Sequence, residues 1–486
     1  MKIFAAPECL SDAVAPLVTM NYLAGLRIFK YPRGKLRIVL SLIYLLLLSS
    51  IFCVSMYMEY KFYKQMTLLK LEHILYEFVL YICAFVTLYE MVLGYFYTKT
   101  INACYQKITK IDETLRQLGS TFNYSEMYFL SIGAVIIWFL YILCSVIVVT
   151  VEMRKSVADV STMIWIIIAD VHTFNIGLVL IFEFSIFVRC LQTRFKLVNE
   201  LLKESVSTAK KKKSLDISVT EDHTKIMDSE QSQNILSTEV SSQLNLQSRI
   251  RTSILRKRNL VRSRTRSALS SQFQKQLQME LQNQSNNQFR DSSSVQRSVT
   301  AAQYQTNIHL LQTIRQVHLE LCRVLKSLCI SFGVQIASEI GICIIYFTLF
   351  LYELYNNIYQ WRVATKGSLI DQISGQIIVA SDYVLEIVLV SIVCKHAANE
   401  GKKTSAIIQE IYGCCPDIDI REEIQQFNIQ IAQSPVEFFT FGISLNYQLL
   451  GSCLKTVTTY LVIMIQMSDS LESRKTFERQ RAIKEF

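Results

Sequence analysis

Seven stretches of about 20 mostly apolar residues dominate this chain, near 37 to 58, 74 to 97, 128 to 151, 163 to 188, 332 to 354, 376 to 394 and 438 to 467. A hydrocarbon layer about 30 Å thick takes about 20 helical residues to cross, and within it each backbone N–H and C=O must be satisfied inside the protein. The apolar residues, 51% of the 486, gather in these blocks instead of alternating through amphipathic elements. The bilayer is therefore the expected solvent, and the fold class is an all-α membrane protein with seven transmembrane helices.

Orientation follows from Lys and Arg in the short loops, which favour the cytoplasmic side. Residues 1–37, 98–127 and 395–437 carry 14 of them, against 7 in 58–72, 152–162 and 355–378. The expected topology has a cytoplasmic N-terminus and, with an odd number of spans, an extracellular C-terminus. The basic residues Arg474, Lys475, Arg479, Arg481 and Lys484 of the tail pull the other way. No cleavable signal peptide is evident in residues 1–36, where Lys2, Arg27, Lys30, Arg33 and Lys35 interrupt short apolar runs.

The expected divisions are a cytoplasmic N-terminus at 1–36, four spans with an extension of the fourth at 37–204, a disordered insertion at 205–306, two spans and anchor helices at 307–437, the last span at 438–467, and a tail at 468–486. The insertion is rich in Ser, Gln, Asn, Lys and Arg, with a lysine run at Lys210 to Lys213 and a basic stretch from Arg249 to Arg266. Residues 189–328 hold 23 basic and 11 acidic residues, so most of the net charge of +10 sits there. Such a loop is either simply solvated or attached to anionic inner-leaflet lipids. Nucleic-acid binding is not expected of an integral membrane protein.

On both sides of the insertion, apolar residues return at helical spacing: Phe184, Phe187, Leu191, Phe195, Val198 and Leu202, then Ile308, Leu311, Ile314, Val317, Leu321 and Leu325. With Ile407, Ile408, Ile411, Ile424, Phe427, Ile429 and Ile431, these predict a cytoplasmic helical anchor domain beneath the membrane. Most of the 13 cysteines lie in spans or cytoplasmic segments, where thiols stay reduced. No Cys-x-x-Cys pair or Cys/His ligand set occurs, so neither a metal nor a cofactor is expected. The sequons at Asn123 and Asn283 fall on the cytoplasmic side and read as chance matches.

The last apolar block reads Phe438 to Phe441, Gly442, Ile443, Ser444, Leu445, Asn446, and further on Thr459, Tyr460, five apolar residues, Gln466 and Met467. Thr-Tyr, five hydrophobics, Gln, Phe is the tag of the insect gustatory receptors, and this chain resembles that family at every position but the last, where Met467 replaces Phe. Ile111 to Leu115 and His318 to Cys322 also resemble segments of some members. The resemblance covers the seven-span frame from about residue 20 to 467, without the insertion. It implies a tetrameric cation channel, homomeric or heteromeric, related in fold to insect odorant receptors, with the seventh helices lining a central pore and a small-molecule tastant outside.

A pore helix needs an apolar constriction that dewets when shut and polar groups that help ions through when open. Thr459, Tyr460, Ile463, Gln466 and Met467 are the candidates. Tyr460, Ile463 and Met467 share a stripe, and Gln466 lies about 100° from Met467, so a modest rotation would exchange an apolar ring for an amide ring. Alternatively, Tyr460 and Gln466 hydrogen-bond neighbouring helices for packing alone. Asp469 and Glu472 just beyond would favour cations at the outer mouth.

Ionisable groups inside spans face protein or water, not lipid. Glu77, Asp170, His172 and Asp382 fall in outer halves, near Tyr141, Trp165, Tyr346 and Tyr383, whereas Glu90, Glu183 and Glu339 fall toward the cytoplasm. Carboxylates beside aromatic faces suit a sugar, or an alkaloid cation through ion pairing and cation–π contact. Inter-helix packing and interfacial anchoring explain the same residues.

A G-protein-coupled receptor would show an Asp/Glu-Arg-Tyr end to helix three and Asn-Pro-x-x-Tyr in helix seven, and neither is present. An odorant-receptor-type channel subunit is the nearer alternative. A transporter would show paired repeats or interrupted helices. No phosphate loop, metal set or nucleophile motif points to an enzyme.

Overall fold

Backbone is described here, in a computed structural model, for residues 7–30, 36–65, 70–120, 122–155, 159–225, 292–364, 369–414 and 418–484. Side chains within these are described except at 70–72, 152, 155, 205–225, 292–307, 359–364, 369–376, 378–379, 382, 414 and 471–484. In chain order the elements are α1 Leu10–Ala13, α2 Ala15–Leu23, α3 Ile38–Lys64, α4 Lys70–Gln117, α5 Ser125–Lys155, α6 Val160–Lys225, α7 Ser292–Ala364, α8 Leu369–Cys414, α9 Ile418–Gln433, β1 Phe439–Thr440, β2 Ile443–Ser444 and α10 Tyr447–Lys484. The chain divides into one unit of residues 1–204 and 310–486 and a second of 205–309. In the second unit 205–225 and 292–309 are helical, and 226–291, the centre of the expected insertion, lies outside the described residues.

Six described stretches are long and apolar enough to cross a membrane: Ile38–Lys64, His73–Gln117, Ser125–Val151, Val160–Glu204, Ile308–Ile358 and Tyr447–Ser470. The remaining expected span, 376–394, falls within α8, several of whose side chains are not described. The molecule is thus a multi-pass, mostly helical membrane protein. Helix α4 has 48 residues, about 72 Å at 1.5 Å per residue, more than twice the hydrocarbon thickness. Its second half must stand clear of the bilayer.

That projecting half is bonded to the extension of α6, and polar contacts tie α6 to α8 and α7 to α9 over the segments in which an anchor domain was expected. Arg194 on α6, wholly buried, forks onto Asp112 of α4 with contacts of 2.9 and 2.7 Å. Tyr124 donates to the same carboxylate at 2.9 Å, and the Phe122 ring covers the guanidinium at 3.9 Å. Burial, and then the Asp112 charge, push the Tyr124 hydroxyl pKa above its ordinary value. Asn199 donates to the Glu400 carbonyl at 2.9 Å and accepts from Thr404 at 2.7 Å, tying α6 to α8. Helix α9 closes on α7 through Glu423, which accepts from Gln312 at 2.8 Å and faces Arg315 at 3.4 Å.

Residues 7–30 are folded into the bundle. Leu10, Ala13, Leu17, Met20, Asn21, Ala24, Leu26 and Ile28 are all buried, and α1 and α2 pack on α5. A turn at Gly25, with φ +74°, lets the chain come back as an extended strand of residues. It crosses α4 at Gly94, where an added Cβ would lie 2.4 Å from the Leu26 carbonyl oxygen. Arg27 then reaches Glu183 on α6 at 2.5 and 3.3 Å and the Gly94 carbonyl at 3.2 Å. Charge counting sees only the arginine, whereas the fold uses it to satisfy a carboxylate inside the bundle.

The last apolar block is not helical from its start. Residues 439–444 form a short antiparallel hairpin pairing Phe439 with Ser444 and Thr440 with Ile443. Its two turn residues, Phe441 at φ 47° and Gly442 at φ 80°, both lie in the left-handed region, as a two-residue hairpin turn requires. Helix α10 begins only at Tyr447, with Asn446 accepting the Gln448 N–H at 2.8 Å as its cap.

Candidate pore face and ligand cluster

The membrane helices differ in what they leave uncovered. Only 22% of the α3 span and 17% of the α5 span are buried, and their exposed residues, among them Val39, Leu46, Leu47, Phe129, Ile136 and Phe139, are apolar, as lipid requires. The α10 span is equally bare at 17%, but its exposed surface is different. Leu449, Cys453 and Val457, four residues apart, dock it on the subunit. Gln448, Ser452, Lys455, Thr459, Gln466 and Ser470 are exposed and fall within about 60° of one another, centred about 125° around the helix from the docking residues. Among the described residues no side chain pairs with the Lys455 ammonium.

The five residues expected at the pore are all on this uncovered surface. Thr459 and Gln466 belong to the polar stripe. Of Tyr460, Ile463 and Met467, each about half exposed, Ile463 flanks the stripe and the other two lie about 100° from its centre, on the side of the docking residues but further along the helix. Where the stripe skips from Thr459 to Gln466, Val462 and Ile463 stand on either side, which makes that level apolar. Gln448, Ser452 and Lys455 lie ahead of the tag and were not among the sequence candidates; their four- and three-residue spacing to Thr459 was the available signal.

At the end of the bundle away from the anchor, α4, α5, α6, α7 and α8 bring several of the ligand candidates together. The rings of Tyr346 and Tyr383 stack at 4.9 Å and 18°, and Phe174 lies 6.1 and 5.8 Å from them. Cys83 donates to the Tyr346 hydroxyl at 3.2 Å. Tyr141 and Asp170 are close enough to act electrostatically on this group. His172 packs its ring 5.2 Å from Phe52, and its buried Nε2 has no hydrogen-bond partner. Beside it Tyr76 donates to the buried Glu59 and stacks on Tyr63. Glu59, Tyr76, Cys83 and Phe174 were not among the candidates, because nothing in a single helix shows which neighbouring spans share a level.

Three candidates stand apart. Glu77 pairs with His73 one turn away at 3.5 Å. Trp165 is half-buried on α6, with no ring contact to the cluster among the described residues. The Asp382 side chain lies outside the described residues.

Between the two ends runs a polar layer. Glu90 on α4 lies beside Glu339 of α7 and accepts from Ser338 at 2.8 Å. Glu339 is seated on Gly177 of α6, where an added Cβ would lie 2.6 Å from its Oε1. On the outer side of this layer, Tyr352 of α7 donates to Ser468 of α10 at 3.0 Å, two residues beyond Gln466. Among the described residues no group of three His, Cys, Asp or Glu is arranged to hold a metal ion.

These features define a polytopic helical membrane protein whose spans continue into a polar-laced helical bundle and whose last helix leaves a polar face uncovered. A family model described as 7tm chemosensory receptor matches residues 17–252 and 267–470. The chain belongs to that family of chemosensory receptors. Among solved structures, the insect olfactory receptor OR5 from Machilis hrabei aligns at TM-score 0.55 and 9% identity, over 93% of this chain and 97% of that one. A structure of the same receptor in complex with eugenol aligns at TM-score 0.43 and 11% identity, over the same shares. At this identity the likeness is one of fold: this chain has the fold of that insect olfactory receptor. No curated protein matches.

Proposed function

We propose that the protein is a gustatory receptor of the plasma membrane that opens a cation-conducting pore when an external tastant binds, and that four subunits surround the pore with α10 of each facing it. The observation that carries this is the polar stripe Gln448–Ser452–Lys455–Thr459–Gln466 on a helix bared to 17% burial. Hydrocarbon disfavours such a face, whereas a water-filled axis shared by several copies accommodates it. The Thr459 to Gln466 tag at its outer end is what favours taste over smell.

The tastant site in this scheme is the cluster around Tyr346, Tyr383, Phe174 and Asp170, where rings would stack on C–H faces and the carboxylate would accept hydroxyl hydrogens or pair with a cation. Tyr346 shares α7 with Tyr352, whose hydroxyl holds Ser468 on the pore helix. A ligand that shifts α7 against α8 therefore moves the anchor point of α10 beside Gln466, turning the Val462–Ile463 level and exposing the amide.

Whole-cell current from cells expressing only this chain, with sugars and bitter compounds applied outside and G-protein signalling blocked, tests the scheme. A rapid ligand-dependent cation current is expected, and Gln466→Ala is expected to change its conductance or open probability at unchanged surface expression. Currents identical in Gln466→Ala would remove the amide from the gate. The fold shared with an insect olfactory receptor favours a second reading, an odorant-type channel subunit, in which volatile apolar ligands and not sugars or bitter compounds evoke the current.

A further inference from the structure

A groove of about 840 Å³ opens where the anchor bundle meets the membrane spans, between α7, the end of the α4 span at Tyr97, and the chain from Gln433 to Phe441. Its walls are unlike on their two levels. Arg323 and Lys326, one turn apart on α7, line it on the anchor side, together with Glu437. One turn further toward the bilayer its rim is Ile330, Phe439 and Phe441, exposed by 62%, 48% and 73%. The α-helical rise puts Ile330 about 6 Å from Lys326 and about 10 Å from Arg323 along the axis. That is the depth over which a bilayer passes from head groups to acyl chains.

Arg323 is shared with Glu320 at 2.6 Å, and among the described residues Lys326 has no partner. Glu320 neutralises Arg323, so Lys326 is the groove's unpaired cation above an apolar rim, with Glu437 as the remaining carboxylate. We propose that it seats one anionic phospholipid of the adjoining leaflet, its phosphate on Lys326 and Arg323 and an acyl chain over Ile330, Phe439 and Phe441. A head group that also carries an ammonium beside its acidic groups, as phosphatidylserine does, would set that ammonium against Glu437. The occupant would bridge α7 to the hairpin that leads into α10, so lipid composition would bear on the last helix. The site is separate from the basic stretch Arg249 to Arg266, and it requires only that the chain be a membrane protein.

The full-length receptor reconstituted in nanodiscs would be photolabelled with phosphatidylserine or phosphatidylcholine bearing a diazirine on one acyl chain, and the adducts mapped by mass spectrometry. Adducts on 319–334 and 435–441 are expected from the phosphatidylserine probe. They should fall about five-fold for each charge removed in Lys326→Gln and in Lys326→Gln with Arg323→Gln, while adducts elsewhere and the elution volume of the assembly stay constant. Soluble glycerophosphoserine in excess should leave them in place, since it lacks the acyl contact. Equal labelling by phosphatidylcholine, undiminished labelling of the double variant, or covalent capture of these segments by a second copy of the chain would each overturn the proposal.

Discussion

A lysine ammonium at the centre of a hydrocarbon layer costs about 2.5–3.5 kcal/mol on insertion scales. Lys455 sits eight residues into α10, about 12 Å along its axis, exposed and on one stripe with Ser452 and Thr459. If that stripe lines the pore, four copies give a ring of positive charge that resists divalent cations more than monovalent ones. Lys455→Glu should then raise calcium permeability relative to sodium several-fold, read as a shift of reversal potential under bi-ionic conditions. An unshifted reversal potential at normal expression would put Lys455 outside the conduction path. His318 is a different kind of residue, placed in the anchor part of α7 with its ring between Phe195 and Phe427 at 5.5 and 5.4 Å and its Nε2 unpartnered. Burial lowers its pKa to about 4, below the unfolded value of about 6.5. The unfolded chain thus binds more protons between those values, and the stability His318 contributes is complete above about pH 6.5 and lost as pH falls toward 4. Thermal unfolding of the purified receptor should become less pH-dependent in that window in His318→Phe.

Among the elements, the N-terminal segment is held by backbone approach and one buried ion pair. Gly94→Ala would drive a Cβ into the Leu26 carbonyl, which cannot rotate away as a side chain could. A loss of about 1–3 kcal/mol is expected, seen as a lower melting temperature in detergent. The α7–α10 contact is testable without disturbing packing. Tyr352 is buried, and Tyr352→Phe deletes only the hydroxyl bonded to Ser468. If that bond transmits ligand binding to the last helix, the variant should shift the ligand dose–response several-fold while leaving single-channel conductance unchanged. A parallel fall in conductance would instead make Tyr352 part of the conduction path.

For the whole molecule, the bareness of α10 is the feature that the proposed four-subunit assembly accounts for. A helix docked through Leu449, Cys453, Val457 and the Tyr352–Ser468 hydrogen bond, with glutamine, serine, lysine and threonine outward, leaves a polar face that hydrocarbon disfavours. Single-molecule photobleaching of tagged receptors should show four steps, and a step count of one would remove the shared axis. The seven apolar blocks, the amphipathic extensions and the tag at Thr459 to Gln466 were legible in the sequence, because membrane length, helical period and a local motif are properties of contiguous residues. The same holds for Glu90, Asp170, Glu183 and Glu339 as costly residues needing an interior. Their partners were not legible: Arg27 lies 156 residues from Glu183, and Asp112 lies 82 from Arg194. Nor was the hairpin at 439–444, since its apolar composition reads as a continuous span until the backbone shows two residues at positive φ. Hydrophobicity along the chain thus determined by itself that this protein spans a membrane several times. Which side chains share a level, which stripe of the last helix is left bare, and which arginine neutralises which carboxylate were decided only by tertiary packing, because those interactions join residues that the chain keeps far apart.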